Sequence, residues 1–432
     1  MPKWTDFLMY MTGALVVTAL VHGLLRAWLR PLFSSSPRRL GPWLGLASLF
    51  PLGMLGLLFM NALPRWVAAP LFWISFSWVG LCYFLLWTAP LTWLLLPLLR
   101  RGFKAHRTVE KTTALDAAQP AEGSRSPAVD ISPAFRPSPA SADPDRVARL
   151  VPCGVALALA LYASVQGLRP PATTQLTIEL SRWPQAADGY RIAHISDLHV
   201  GATIGRAHVQ AVVDAINQQN VDLVAITGDL VDGSVAALGP QLAPLSGLRS
   251  RHGVFLALGN HEYFSPTEDW VRFLPSLGVV VLRNQLFALP DFDLIGLDEW
   301  SAPEFTPLHR PDVDAALQGR RRDRPAIVLS HQPQAARTLR SHNRQALAAG
   351  LPAVFDLQLS GHTHGGQIAP LGQIARWDQG QLGGVTQRDG LTVHVTPGTG
   401  YWGPAMRLGS RAEVSILQLR SPSVTRHHIN QK

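Results

Sequence analysis

The sequence predicts an α/β domain that is preceded by an N-terminal transmembrane helical region. Long apolar stretches without charged residues occur only before residue 170, whereas short β-branched runs alternate with amphipathic segments from Tyr190 onward. The formal net charge of +9 also falls entirely within residues 1–170. Basic residues that flank apolar stretches are typical of membrane proteins, so we expect no nucleic-acid partner. The two cysteines exclude a disulfide framework.

Four stretches lack Asp, Glu, Lys and Arg and are each long enough to cross a bilayer, which takes about 20 apolar residues. They are residues 7–25, 40–62, 66–99 and 150–168. The third stretch is long enough to form a hairpin broken near Pro90. The sequence therefore leaves four or five membrane spans open.

The composition predicts four segments along the chain. We expect transmembrane helices with three spans over residues 1–104, a disordered loop over 105–149, a fourth transmembrane helix over 150–168, and the α/β domain over 170–432. The loop is rich in Pro, Ala and Ser, and it has too few large apolar residues to offset the entropy lost on ordering.

The distribution of basic residues predicts how the chain is oriented. Arginine and lysine are concentrated after the first and third apolar stretches, and such loops face the cytoplasm. Four spans satisfy this rule and place the α/β domain outside the cytoplasm. A domain that faces the cytoplasm is the alternative.

Five β-branched runs of the domain end in the same way, with Asp, His or Asn. The runs 191–196, 222–227, 254–258, 326–330 and 357–360 lead into Asp197 and His199, into Asp229, into Asn260 and His261, into His331, and into His362 and His364. Open α/β sheets bind ligands at the carboxyl ends of their strands, so these side chains predict one common site.

The residue types indicate a metal site. Imidazoles, carboxylates and one amide oxygen suit Mn, Fe, Zn or Co better than Ca, and Mg prefers fewer nitrogen ligands. Seven of these residues are candidate ligands, which is more than one ion needs. Two ions about 3.5 to 4 Å apart that share a carboxylate would use all of them.

The motifs also carry a family resemblance. Asp197-Leu-His199, Gly228-Asp229, Gly259-Asn260-His261-Glu262, Ser330-His331 and Gly361-His362-Thr-His364 occur in this order. Over about residues 190–419 the chain resembles the calcineurin-like metallophosphoesterase superfamily, in particular its membrane-anchored members. This resemblance implies a four-layer α/β/β/α sandwich with two divalent metal ions.

The resemblance further implies a role for each residue of the motifs. Asp197, His199 and His364 would bind one ion, and Asn260, His331 and His362 the other. Asp229 would bridge the ions, and His261 would lie near the leaving group as an acid or as a donor to phosphate. Asp229 and His261 are thus the expected catalytic residues.

The expected function is that of a membrane-anchored phosphohydrolase, in which a hydroxide between the ions attacks phosphorus in line. Because tethering restricts the enzyme to the membrane, we expect a phosphodiester or a lipid-linked pyrophosphate as substrate, with the cell envelope as one source of it. A phosphomonoesterase and a catalytically silent metal-binding sensor or scaffold remain alternatives. A transporter is disfavoured because the spans contain no charged residue.

Other polar and aromatic residues near the motifs allow two interpretations each. Tyr401, Trp402 and Arg407 follow a glycine-rich turn and either bind substrate or pack within the domain. We expect Asp232 to belong to a turn or helix cap, and Glu262 to support its loop by hydrogen bonds.

Overall fold

The computed structural model describes residue 16 and residues 19–29, 64–116 and 143–422, with side chains omitted for 106–116. Within these residues the chain forms two compact units. One unit contains 64–76 and 162–422, and the other contains 19–29, 77–116 and 143–161. The α/β domain belongs wholly to the first unit.

Within the part of the chain that the structure describes, four helices precede the domain. They are α1 (Ala19–Leu29), α2 (Arg65–Thr88), α3 (Leu91–Asp116) and α4 (Pro144–Leu168). By length and composition, α2 and α4 can each cross a membrane. The predicted span 40–62 and most of the span 7–25 lie outside the described residues.

The boundaries of these helices differ from the predicted ones. The third apolar stretch is divided at Ala89 and Pro90, because proline interrupts the helical hydrogen bonds. Helix α3 then continues to Asp116, and α4 begins already at Pro144, so both enter the segment predicted as a loop. Extending an existing helix costs little, and proline followed by an acidic residue is a favourable helix start. The rest of the predicted loop, 117–142, lies outside the described residues.

The domain contains two six-stranded sheets. The first has the order β1 (Ala172–Glu179), β12 (Glu413–Arg420), β2 (Arg191–Ile195), β3 (Leu223–Ile226), β4 (Val254–Leu256) and β5 (Val279–Val281). The second has the order β10 (Gly384–Arg388), β11 (Leu391–Val395), β9 (Leu357–Ser360), β8 (Ala326–Leu329), β7 (Asp293–Gly296) and β6 (Gln285–Ala288). Strands β2 to β5 are parallel to one another, as are β7, β8, β9 and β11.

Helices connect the strands. They are α5 (Arg206–Asn217), α6 (Val235–Leu242), α7 (Thr267–Phe273), α8 (Ala302–Phe305), α9 (Val313–Ala316), α10 (Ala336–Ala348) and α11 (Gly372–Gln379). Helix α5 shows why these segments are helical: its valines and isoleucine recur at helical spacing and are all buried against the first sheet.

The two sheets pack face to face and are covered by helices on their outer sides. Residues that alternate along the strands, such as Leu223, Phe255, Leu294, Ile327 and Leu357, fill the space between the sheets. The other strand residues, which alternate with these, point outward: those of the first sheet pack against α5 and α7, and those of the second sheet pack against α10. This arrangement confirms the predicted four-layer α/β/β/α sandwich.

Candidate metal centre

The site is built from the loops that leave the carboxyl ends of β2, β3, β4, β8 and β9. Backbone hydrogen bonds tie these loops together: the Asp197 amide donates to the Gly228 carbonyl at 3.0 Å, and the His199 amide to the Asp229 carbonyl at 3.0 Å. The Gly361 amide donates to the His331 carbonyl at 2.9 Å. The predicted residues therefore converge because the strands that carry them are neighbours in their sheets.

The loops adopt unusual backbone conformations at the predicted ligands. Asp197, His199, Asp229, His362 and His364 all have positive φ, between 49° and 69°. Residues other than glycine rarely adopt this left-handed region, and such strain is concentrated at functional sites. The surrounding strands and loop hydrogen bonds hold these residues in place.

Three side chains form the first ligand cluster, which we call the Asp197 cluster: Asp197, His199 and His364. The Nε2 atoms of His199 and His364 lie 3.1 Å apart, and His364 Nε2 lies 3.5 Å from Asp197 Oδ1. Two ligand atoms at about 2.1 Å from one ion are separated by roughly 3.0 to 3.4 Å. The spacing of the three donors fits a single divalent ion.

A second group of donors, which we call the His331 cluster, contains Asn260, His331 and His362. His331 Nε2 lies 3.1 Å from Asn260 Oδ1 and 3.1 Å from His362 Nδ1. Asp229 Oδ2 lies 3.1 Å from His331 Nε2 and 3.8 Å from His199 Nε2, so its carboxylate faces both clusters. All seven predicted ligands thus lie at one centre, with Asp229 between the two clusters.

The electrostatics of the donors also fit bound cations. Burial opposes charge on both Asp229 and His331, yet their mutual attraction keeps the pKa of Asp229 well below and that of His331 well above its ordinary value. His331 must therefore release its ring proton when it binds an ion, which makes metal binding dependent on pH. Burial lowers the pKa of His362 to about 3 and that of His364 well below its usual range, so both imidazoles are neutral donors. The buried carboxylates and neutral nitrogens form the ligand set of a divalent transition metal.

Two glycines allow the loops to approach this closely. A Cβ atom on Gly361 would lie 2.0 Å from Ser196 Oγ and 2.3 Å from Asp197 Oδ2, and one on Gly259 would lie 2.2 Å from Asp229 Oδ1. Glycine is therefore required at both positions, because a larger residue would displace the candidate ligands Asp197 and Asp229.

The sequence profile of calcineurin-like phosphoesterases matches residues 190–366. An uncharacterized metallophosphoesterase of Aquifex aeolicus is 30% identical over 247 residues, which cover 56% of this chain and 90% of that protein. The chain belongs to the calcineurin-like phosphoesterase family. This confirms the family resemblance of the sequence motifs.

Two other relatives are each named transmembrane protein with metallophosphoesterase domain. The Danio rerio protein is 36% identical over 272 residues, which cover 61% of this chain and 60% of the relative. The Bos taurus protein is 38% identical over 281 residues, which cover 62% and 61%. The chain therefore matches about three fifths of the length of these relatives.

In this calcineurin-like phosphoesterase, His261 lies beside both clusters. Its Nε2 atom is 4.0 Å from Asp229 Oδ2, and its backbone amide donates to Asp229 Oδ1 at 2.9 Å. Burial alone would lower the pKa of His261, but the carboxylates of Asp229 and Asp232 raise it to about 9. The imidazole thus has a proton to donate at the edge of the centre.

The sequence interpretation missed the role of Asp232. Its Oδ1 atom accepts hydrogen bonds from Nδ1 of His199 at 2.8 Å and from Nδ1 of His261 at 2.7 Å. Asp232 is therefore not merely a turn or cap residue, because it orients one candidate ligand and the candidate acid. The signal available in the sequence is its position three residues after Asp229, within the same loop.

Glu262 supports the loops as predicted. Its carboxylate accepts hydrogen bonds from the backbone amides of Asp229 at 3.0 Å, Leu230 at 2.7 Å and Gly259 at 2.7 Å. The carboxylate thereby joins the loop after β3 to the loop after β4 and fixes the position of Asp229.

The interpretation of Arg407 as a substrate-binding residue is wrong. Its side chain is fully buried, and its guanidinium donates to the backbone carbonyls of Gly400, His364 and Pro397 and to Ser410 Oγ. These contacts use all five N–H donors, so none is left for a phosphate. Arg407 instead joins the loop after β11 to the carbonyl of a candidate ligand.

Tyr401 and Trp402 do lie beside the centre. Both line a cleft that also contains His199 and Asp232. The Trp402 ring is half exposed and its centroid lies 5.8 Å from that of His261. Their predicted part in substrate binding stays a prediction.

Proposed function

We propose that the chain is a membrane-anchored, metal-dependent phosphohydrolase that hydrolyses a phosphodiester or a lipid-linked pyrophosphate with two divalent ions. The observation that carries this proposal is the position of Asp229 Oδ2 between two donor clusters, each with the spacing of a metal site. Membership of the calcineurin-like phosphoesterase family supports it. Mn, Fe, Zn and Co suit the donors best.

The residues of the centre divide the chemical work. Asp197, His199 and His364 would bind one ion and Asn260, His331 and His362 the other, with Asp229 shared. Such ions supply an activated water and neutralise charge on the phosphoryl oxygens. His261 projects Nε2 toward the same space, where its N–H donates a proton or a hydrogen bond to the leaving oxygen.

We further propose that the chain is a multi-pass membrane protein whose domain lies outside the cytoplasm. Two helices of suitable length and the names of the relatives support a membrane location. The excess of basic residues in the first 170 residues supports the orientation. A reporter fused after Lys432 that is active only in the cytoplasm would contradict it.

The function is tested with the full-length chain in lipid nanodiscs, stripped of metal and refilled with Mn, Fe, Zn, Co or Mg. We would measure turnover of a p-nitrophenyl phosphomonoester, a p-nitrophenyl phosphodiester and a polyprenyl pyrophosphate, together with bound metal per chain. We expect metal-dependent turnover, highest for the diester or the pyrophosphate. Asp229→Asn should lower it by at least about 1,000-fold, because both ions lose their shared ligand.

The matched control is Asp214→Asn, which changes an exposed carboxylate on α5 and should leave turnover unchanged. Two ions bound per chain without turnover of any substrate would refute hydrolysis and favour the metal-binding sensor. Turnover of the monoester alone would instead support the phosphomonoesterase.

A further inference from the structure

A narrow cleft extends from the candidate metal centre to the first half of helix α2. Its lining includes His199 and Asp232 of the centre as well as Phe72 and Phe76 of α2. All these residues belong to the same compact unit. One wall of the cleft is thus supplied by a helix that is long and apolar enough to cross a membrane.

Specific contacts fix this helix against the domain. The Arg65 guanidinium donates to Gln241 Oε1 at 2.6 Å and to the Ala202 carbonyl at 3.3 Å. Ala68 and Phe72 are buried against Ala202, three residues after His199. The first half of α2 is therefore packed onto the loop that carries a candidate ligand.

The loop after β11 supplies further aromatic lining. Tyr401, Trp402 and Gly403 line the same cleft as the two phenylalanines. A Cβ atom on Gly403 would meet the Phe76 ring at 3.6 Å, so the glycine backbone lies close to that ring. The first half of α2 and the loop after β11 therefore meet at this cleft.

The lining of the cleft combines two kinds of chemistry. Histidine and carboxylate groups come from the metal centre, and phenylalanine rings come from α2. Among the described residues that line the cleft there is neither lysine nor arginine, and the carboxylate of Asp232 is engaged by two histidines. The side of the cleft formed by α2 therefore offers apolar contacts to a hydrocarbon chain and not a counter-charge to a second anionic group.

We propose that the first half of α2 is part of the substrate-binding site, and that Phe76, supported by the buried Phe72, binds an apolar chain esterified at or next to the reacting phosphorus. This inference rests on the proposed phosphohydrolase function. It gives the helix a role in specificity as well as in anchoring, because an amphiphilic phosphoester would reach the centre along a helix that leads into the bilayer.

The test uses three p-nitrophenyl phosphodiesters whose second ester group is methyl, butyl or octyl. The full-length chain in nanodiscs is loaded with Mn²⁺, and substrates are kept below their critical micelle concentrations. Because each methylene that becomes buried contributes up to about fourfold, we expect kcat/KM to rise at least about tenfold from methyl to octyl. Phe76→Ala should abolish most of this rise, so that kcat/KM falls far more for the octyl ester than for the methyl ester.

Ile74→Ala is the matched control, since Ile74 lies on the same helix but is 56% exposed and does not line the cleft. It should retain the full dependence on chain length, which separates binding in the cleft from partition into the bilayer. Phe76→Leu, which keeps an apolar side chain, should retain part of the dependence. Bound Mn²⁺ and the melting temperature of each variant show whether its fold is intact.

The outcomes separate the two proposals. No metal-dependent turnover of any of the three esters would refute phosphodiester hydrolysis and this inference with it, while the polyprenyl pyrophosphate assay tests the rest of the proposed function. Turnover of all three at equal rates would refute the apolar binding site alone, as would an equal loss of chain dependence in Phe76→Ala and Ile74→Ala. If Phe76→Ala lowered all three rates by the same factor, Phe76 would be a structural residue only.

Discussion

The two ligand clusters differ in what supports them. In the Asp197 cluster, side chains from other segments support the ligands: Asp232 binds His199 Nδ1, and Arg407 binds the His364 carbonyl. In the His331 cluster, the support is backbone, because His331 Nδ1 lies 2.6 Å from the carbonyl of Thr227 at the end of β3.

Backbone conformation follows the same division. All three ligands of the Asp197 cluster have positive φ, whereas His362 is the one member of the His331 cluster that does. A strained conformation persists only where its surroundings determine it. The Asp197 cluster should therefore be the more sensitive to substitutions that touch no ligand, and its ion should be separable from the other by mutation.

Among the substitutions that distinguish the two clusters, Arg407→Met should have the largest effect. The substitution leaves the carbonyls of Pro397 and Gly400 without their buried donor, and each unsatisfied group costs about 1 to 3 kcal/mol. The His364 carbonyl loses the guanidinium but keeps the Ser410 hydroxyl and the Gln367 amide as donors. We expect the free energy of unfolding to fall by about 3 to 5 kcal/mol, measured by chemical denaturation of the metal-free protein. Ion binding to the Asp197 cluster should weaken as well.

Arg249→Met is the matched control, because Arg249 is exposed. Its free energy of unfolding should stay within about 0.5 kcal/mol of the parent protein. A variant Arg407→Met of unchanged stability would show that the guanidinium is not the support of this loop.

Arg407 also illustrates where inference from sequence ends. The strand ends could be predicted because a short stretch of sequence is enough to identify each β-branched run, and the seven ligands follow such runs directly. An arginine after a glycine-rich turn, by contrast, suits a phosphate contact as well as a structural one. Only the packing of β11, β12 and the loop between them shows that its donors face carbonyls.

The aromatic wall of the cleft was beyond sequence inference for a related reason. Phe72 and Phe76 belong to an apolar helix whose composition indicates a membrane span, and nothing local pairs them with Tyr401 and Trp402, more than 300 residues later. Asp232 was closer to being predictable, since metal-binding histidines usually donate their second ring N–H to an acceptor.

Glu262→Gln tests whether a support shared by both clusters acts on both ions. Gln has one acceptor oxygen where the carboxylate has two. Depending on which oxygen is replaced, either the Leu230 amide or the amides of Asp229 and Gly259 lose their partner, at a cost of about 1 to 3 kcal/mol for each amide. Because either loss loosens the loop that holds the shared ligand Asp229, we expect both ions to bind more weakly by similar factors. Calorimetric titration with Mn²⁺ measures the two affinities.

Glu304→Gln is the control for this experiment, since Glu304 is exposed. It should change neither the free energy of unfolding nor the affinity for Mn²⁺. If Glu262→Gln lowered the affinity for one ion alone, the shared position of Asp229 would be contradicted.

Asp232→Asn should have the smallest effect and distinguish the clusters most sharply. The substitution removes the negative charge that orients His199 and His261 but leaves every ligand in place. Loss of such a partner typically weakens metal binding by about 10- to 100-fold. We therefore expect this loss of affinity for the ion in the Asp197 cluster, whereas the ion in the His331 cluster should keep its affinity. Calorimetric titration with Mn²⁺ again separates the two sites, with Asp214→Asn as the unaffected control. Equal weakening of both ions would show that the clusters form one cooperative unit, and unchanged binding would show that His199 does not depend on Asp232 for its orientation.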